Sequence, residues 1–107
     1  MSAFLIVHRR EITDSERLKD YRKGVGETIG RFGGKVVTRT DGFDVLEGNW
    51  HPGEKGDDSE PERITVLEFP DMKALRAWYD SDDYAPLKDI RRSSSVSDVV
   101  AVEGRPS

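Results

Sequence analysis

Three charged side chains stand in segments that otherwise read as apolar strands: Arg39, Glu47 and Glu68. A charge taken out of water is costly unless it is paired, so residues of this kind are either working groups or members of an ion pair. As working groups, Arg39 would hold the carboxylate of a small molecule, and Glu47 or Glu68 would serve as acid or base with a pKa raised by burial. As structural groups they would pair with Arg63 or Arg91 and fix a helix or a second subunit on the sheet. His8, in the first strand-like segment, shares a phase with Phe4 and Ile6; its near-neutral pKa suits a proton shuttle if that phase faces a cavity, and an ordinary core or edge position if it does not. Trp78, Tyr79 and Tyr84 offer ring surface with a polar handle, as the lining of a cavity for a flat ligand or, for Trp78 especially, as plain core. Tyr21 falls on a helical apolar stripe, which predicts a core ring with its hydroxyl at the rim. The candidate bases are therefore His8 and Glu68, and the candidate ligand-binding set is Arg39, Glu47, Trp78, Tyr79, Tyr84 and Arg91.

Other chemistries find little support. The two histidines, His8 and His51, have no spacing that would build a metal face, and no metal or other cofactor is expected. The carboxylates Asp57, Asp58 and Glu60 lie in a stretch so polar that it reads as solvated surface. Gly33-Gly34-Lys35 leads into a strand and so presents no helix N-terminus to a phosphate. Gly24, Gly26 and Gly30 lie inside a helical pattern, which rules out a dinucleotide fingerprint; close packing against a neighbour would be one reason for them. With no cysteine there is no thiolate nucleophile and no disulfide, and no Ser-His-Asp or Ser-Lys arrangement can be assembled. Ser93-Ser94-Ser95 reads as a linker.

Composition narrows the partners. The chain has 107 residues, 35% of them hydrophobic and 36% charged, with a formal net charge of −4. Nucleic acid is not expected, because Arg9-Arg10 and Arg91-Arg92 are too small to form a phosphate-binding patch. No apolar run approaches the roughly 20 residues that span a bilayer, so no membrane partner is expected. The apolar run 3–7 has its positive charges after it and not before it, unlike a secretory signal. A cytoplasmic location is the expectation, and the absence of cysteine is compatible with it.

These side chains need a scaffold, and the periodicities supply one. Residues 3–9 read as a strand buried on most of both faces. Thr13 and Glu16 form a capping-box pattern that opens a helix, along which Leu18, Tyr21, Val25, Ile29 and Phe32 recur at spacings of three and four until Gly33-Gly34 ends it. Segments 35–39 and 43–48 both read as strand, interrupted by a turn at Asp41-Gly42. The stretch 50–62 is rich in Gly, Pro and acids and reads as a long flexible loop. Residues 63–69 are the clearest strand; Asp71 caps a second helix bearing Leu75, Trp78 and Tyr79. Ser81 restarts a short helix with Tyr84 and Leu87 inward, 97–103 is the last strand, and 104–107 is a frayed tail. The order is βαββαβ: an α+β, ferredoxin-like antiparallel sheet with its helices on one face, filling a single domain over 1–107. Apolar residues occupy both phases of the first, third and last strands. The face without helices therefore needs a cover, which predicts a homodimer packed sheet to sheet.

Tyr21, Gly33-Gly34, Arg39, Leu46-Glu47-Gly48, Leu67-Glu68-Phe69-Pro70, Arg91 and Val102-Glu103-Gly104 together resemble the DUF1330 family, within the dimeric α+β barrel superfamily. The specific part is Ala77-Trp78-Tyr79-x-Ser81-x-x-Tyr84-x-x-Leu87. The resemblance implies a two-sheet dimer with a barrel-like interior between subunits, or an equivalent pocket under the helices; it implies no reaction. Val7-His8-Arg9-Arg10 is more basic, and the loop after Trp50 longer, than the resemblance leads one to expect. Three functions follow as expectations. The first is a homodimer that binds a small organic acid or aromatic metabolite. The second is a cofactor-free isomerase, lyase or monooxygenase using His8 or Glu68 as base, since the superfamily includes such activities. The third is a structural or protein-interaction dimer.

Overall fold

The computed structural model describes residues 1–48 and 62–104. Its elements are β1 (Ala3–Ile12), α1 (Ser15–Arg31), β2 (Lys35–Thr40), β3 (Arg63–Phe69), α2 (Met72–Tyr79), α3 (Ala85–Ser94) and β4 (Ser95–Glu103). The strands form one antiparallel sheet in the order β2-β3-β1-β4. Leu5 stands opposite both Leu67 and Ala101, and Ala3 opposite Phe69 and Glu103. Side chains alternate along a strand, so these pairs put Ala3, Leu5, Leu67 and Phe69 on one face, where they join Val25 and Ile29 of α1, Leu75 and Trp78 of α2, and Tyr84 in a single core.

The helices are held by local chemistry. The Asp14 carboxylate accepts the Arg17 backbone N–H at 3.0 Å and caps α1, one residue after the expected Thr13. The backbone N–H groups of Thr13 and Asp14 both donate to the Ser94 carbonyl, at 2.8 and 3.1 Å, which ties the start of α1 to the end of α3. Glu16, expected to reach back to the cap, instead meets Lys19 one turn on. At its end α1 stops at Gly33, whose φ of 78° lies in the left-handed region, and the Gly34 N–H returns to the Ile29 carbonyl at 3.0 Å. Asp71 caps α2 by accepting the Ala74 N–H at 2.8 Å. Of the glycines inside α1, Gly24 faces Leu87 of α3, which a Cβ would meet at 3.3 Å, whereas Gly26 and Gly30 face open space.

Two expectations are corrected. Residues 43–48 are not a strand. The β2–β3 ladder reaches Thr40 opposite Ile64, and β3 begins at Arg63, so among the described residues no strand pairs with the segment that follows. Leu46 is accordingly 90% exposed. The serine run is not a linker either: α3 continues to Ser94 and β4 starts at Ser95. Each serine hydroxyl donates to a carbonyl about one turn back, Ser93 and Ser94 to Ile90 and Ser95 to Arg91; the Arg91 carbonyl is one of the four that the end of α3 leaves open. The expected loop 50–62, apart from Glu62, and the tail 105–107 fall outside the described residues, as do Asp57, Asp58 and Glu60. Among the described residues no helix is long and apolar enough to cross a membrane.

The face away from the helices carries Phe4, Ile6, Ile64 and Val66, partly exposed, with Val100 at 51% and Val102 at 38% exposure. Charged pairs lie around it: Arg10 with Asp98 at 3.4 Å and Lys35 with Glu68 at 3.5 Å.

Gly34 marks the tightest approach of backbone to core. A Cβ there would fall 2.6 Å from Phe69 and 2.8 Å from Ile29. Gly34→Ala is expected to destabilise the fold by about 1–3 kcal/mol through overpacking, measured as a lower urea midpoint with unchanged slope.

Candidate functional site

A cavity of about 100 Å³ lies between α1 and the helix-bearing face of the sheet. Its floor is apolar, built from Leu5, Val7 and Leu67 of the strands, Val25 and Ile29 of α1, and Trp78 of α2. Its polar end is a concentration of arginine: Arg9 from β1, Arg22 from α1, Arg39 from β2, Arg63 from β3 and Arg91 from α3 all reach it, and among the described residues no aspartate or glutamate lines its walls. The register explains the convergence. Arg9 is paired with Arg63, and Arg39 with Thr65 one step along the same face, so three strand arginines share two neighbouring rungs of the ladder under α1.

Arg39, Arg63 and Arg91 form no ion pair among the described residues. Arg91 is only 8% exposed, and the Arg63 Nε atom is enclosed with no hydrogen-bond partner. Arg39 is exposed; the desolvation cost that an anion would offset falls on Arg91 and on the Arg63 Nε atom.

Tyrosines complete the polar end. Tyr21 lines the cavity, and its hydroxyl lies 3.0 Å from that of Tyr84. Arg91 Nε donates to the same Tyr84 oxygen at 3.4 Å. Tyr84 is 1% exposed, its ring centroid 4.1 Å from that of Trp78. Trp78 is fixed in turn: its Nε1–H donates to Thr28 Oγ1 at 3.0 Å, and that hydroxyl donates to the Val25 carbonyl at 2.8 Å. Burial, and next the neighbouring Tyr84, push the Tyr21 hydroxyl well above the ordinary tyrosine range.

The structure thus brings Arg39, Trp78 and Arg91 to one cavity, with Tyr84 directly behind it. The other candidates lie elsewhere. Tyr79 sits beyond Arg91, facing a shallower depression beside β4, with Lys88 Nζ 4.1 Å over its ring. Glu47 is exposed in the irregular stretch after β2. His8 is on the opposite face of the sheet from the cavity, its Nε2 3.4 Å from Glu62 Oε1 and its ring edge-on to Phe43. Glu68 shares that opposite face, and the expectation that burial raises its pKa is reversed: the Ser2 hydroxyl, and after it Lys35, hold its carboxyl below the usual range. Neither Glu47 nor Glu68 pairs with Arg63 or Arg91; Glu68 meets Lys35 instead. Sequence reasoning missed Arg9, Arg22, Tyr21 and the hydroxyls of Ser95 and Ser97 as cavity residues, and took Arg63 only as an ion-pair partner. The signal for Arg9 and Arg63 was present in their phase, since both continue the alternation of Leu5 and Leu67 toward the helices. Among the described residues no three metal-ligating side chains cluster.

The profile of the domain of unknown function DUF1330 matches residues 2–105. The chain belongs to the DUF1330 family. No curated protein matches this DUF1330 chain in sequence. Among solved structures it is similar to a protein of unknown function from Rhodopseudomonas palustris, with 17% identity over 99% of this chain and 84% of that one and a TM-score of 0.66. It is also similar to a dimeric ferredoxin-like protein of unknown function from Jannaschia sp. CCS1, with 13% identity over 97% and 100% and a TM-score of 0.62. SnoaB, a cofactor-independent oxygenase from Streptomyces nogalater, matches at 13% identity over 99% and 94% with a TM-score of 0.61. At these identities the likeness establishes the ferredoxin-like fold of the DUF1330 chain.

The high Tyr21 pKa has a consequence for stability. Below about pH 10 the residue is protonated in both states; above it the unfolded chain releases the proton and the folded one keeps it. Stability is therefore fully present below that pH and falls as pH rises past it, by at most about 1.4 kcal/mol per pH unit from this residue. Urea unfolding at about pH 8 and about pH 11 should show a smaller alkaline loss for Tyr21→Phe than for the unsubstituted protein.

Proposed function

We propose that this DUF1330 protein binds a small organic acid in the cavity under α1, as a homodimer. The single observation that supports the binding reading most is the set Arg39, Arg63 and Arg91, which lines an apolar-floored cavity with no carboxylate paired to it among the described residues. Arginine recognises carboxylates by paired, charge-assisted hydrogen bonds. The apolar floor of Leu5, Val7, Leu67 and Trp78 suits the hydrocarbon or ring part of the same molecule. Since a water needs roughly 10–15 Å³ of such space, the cavity accommodates a molecule of roughly six to ten non-hydrogen atoms. Hexanoate and benzoate are of that size.

A catalytic reading is less well supported, although SnoaB and a protein from Nitrosomonas europaea called a putative antibiotic biosynthesis monooxygenase share the fold. Proton abstraction needs a base within hydrogen-bond reach of the substrate. Both candidate bases, His8 and Glu68, belong to the far face of the sheet, and Glu68 is a weakened base.

Calorimetric titration tests the binding reading. Hexanoate or benzoate is expected to bind, benzyl alcohol to bind much more weakly, and Arg39→Ala to lose about tenfold or more in affinity for the acids. Equal affinity for benzoate and benzyl alcohol would count against a carboxylate site.

The homodimer is supported by the helix-free face, where Phe4, Ile6, Ile64, Val66 and Val100 form an apolar centre within a rim of ion pairs; a structural neighbour is described as dimeric. Two such faces packed together would remove these side chains from water. Sedimentation should show a dimer that Val66→Asp converts to a folded monomer. A monomeric unsubstituted protein would rule the pairing out.

A further inference from the structure

We infer that Tyr21 is a specificity-determining hydrogen-bond donor to the bound acid, its hydroxyl proton aimed into the cavity by the chain Arg91–Tyr84–Tyr21. The inference rests on the reading of the cavity as an acid site and narrows its ligand to one that presents an oxygen acceptor to a phenol as well as to guanidinium groups: a carboxylate, or the oxyanion of an enol.

The direction of the chain follows from what each group is able to do. A guanidinium Nε–H only donates, so at the 3.4 Å contact Tyr84 Oη is the acceptor. Tyr84 is 1% exposed, and a buried hydroxyl proton finds an acceptor. The only other hydrogen-bond partner of Tyr84 Oη among the described residues is Tyr21 Oη, at 3.0 Å. Tyr84 therefore donates to Tyr21. Once the Tyr21 oxygen accepts that proton, its own proton is turned away from Tyr84, and Tyr21 borders the cavity. The reverse arrangement, Tyr21 donating to Tyr84, would strand the Tyr84 proton without an acceptor in the core.

The chain has little freedom to rearrange. Tyr84 is clamped by Trp78 at 4.1 Å between ring centroids, Trp78 is pinned through Thr28, and the Tyr21 ring meets Tyr84 edge-on at 6.2 Å. The positive charges of Arg91 and Arg39 both act on the Tyr21 hydroxyl, which places it among the cationic groups that would hold the acid. Burial keeps Tyr21 protonated across the physiological range, so it remains a donor there. Tyr21 would thus touch the ligand, and Tyr84 would act as a positioning residue behind it.

Benzoate and hexanoate titrated into the unsubstituted protein, Tyr21→Phe and Tyr84→Phe provide the test. Tyr21→Phe is expected to weaken binding about tenfold, and Tyr84→Phe about threefold because Tyr21 keeps its hydroxyl but loses its orientation. In isotope-labelled protein the Tyr21 ring ζ-carbon resonance should shift on saturation with benzoate, and shift less in Tyr84→Phe, a signature that loss of core packing would not produce. Unchanged affinity in Tyr21→Phe, with binding still abolished by Arg39→Ala, overturns this inference and leaves the acid-binding reading intact. Failure of both acids to bind the unsubstituted protein overturns both. Should Tyr21→Phe not fold, the resonance decides alone: no shift at saturation overturns the inference.

Discussion

Everything in this molecule hangs on the register of β1 between β3 and β4. With Leu5 opposite Leu67 and Ala101, every odd residue of the strand turns toward the helices and every even one away, as far as the irregularity after Arg9. A slip of one residue in such a sheet exchanges the two sets completely. The register is what gathers Arg9, Arg39 and Arg63 beneath α1, and it is also what banishes His8 and Glu68 to the other side. The apolar core fixes it, since Ala3, Leu5, Leu67 and Phe69 are all buried only in this alignment.

The same constraint divides the protein into two surfaces of opposite character. Under the helices the sheet ends in cations around a small hollow; on the far face it is a field of branched aliphatic side chains edged by ion pairs. Trp78 links the layers on the helix side: its ring supports Tyr84 and Phe69, and its indole nitrogen is satisfied by Thr28 inside α1. One residue thereby ties α2 to α1 and seats the tyrosine pair at the edge of the cavity.

Much of the fold was legible because local signals agreed with it. Gly33 closed α1 where a left-handed residue was needed, Asp71 capped α2, and the alternation of β3 was unmistakable. The failures were of another kind. Segment 43–48 has strand-forming residues, yet strand formation depends on a partner, and among the described residues none lies beside it, since β3 begins at Arg63. The serines before β4 look like a linker in isolation and prove to be helix-terminating hydroxyls. For the site, single charges in apolar strands drew attention to Arg39 and Glu68 alike. Only the pairing of strands reveals that one faces the helices and the other does not, and the gathering of five arginines from five elements is invisible until those elements are assembled.

The direct junction of α3 with β4 has a further consequence. Arg91 and Ser95 line the cavity, while Val96, Val100 and Val102 are displayed on the outer face, with no spare residue between helix and strand. A single inserted or deleted residue here would turn β4 over, bringing valines to the hollow and serine hydroxyls to the outside. An altered residue count at this point would damage the inner and outer surfaces in one event, which no single side-chain replacement there would do.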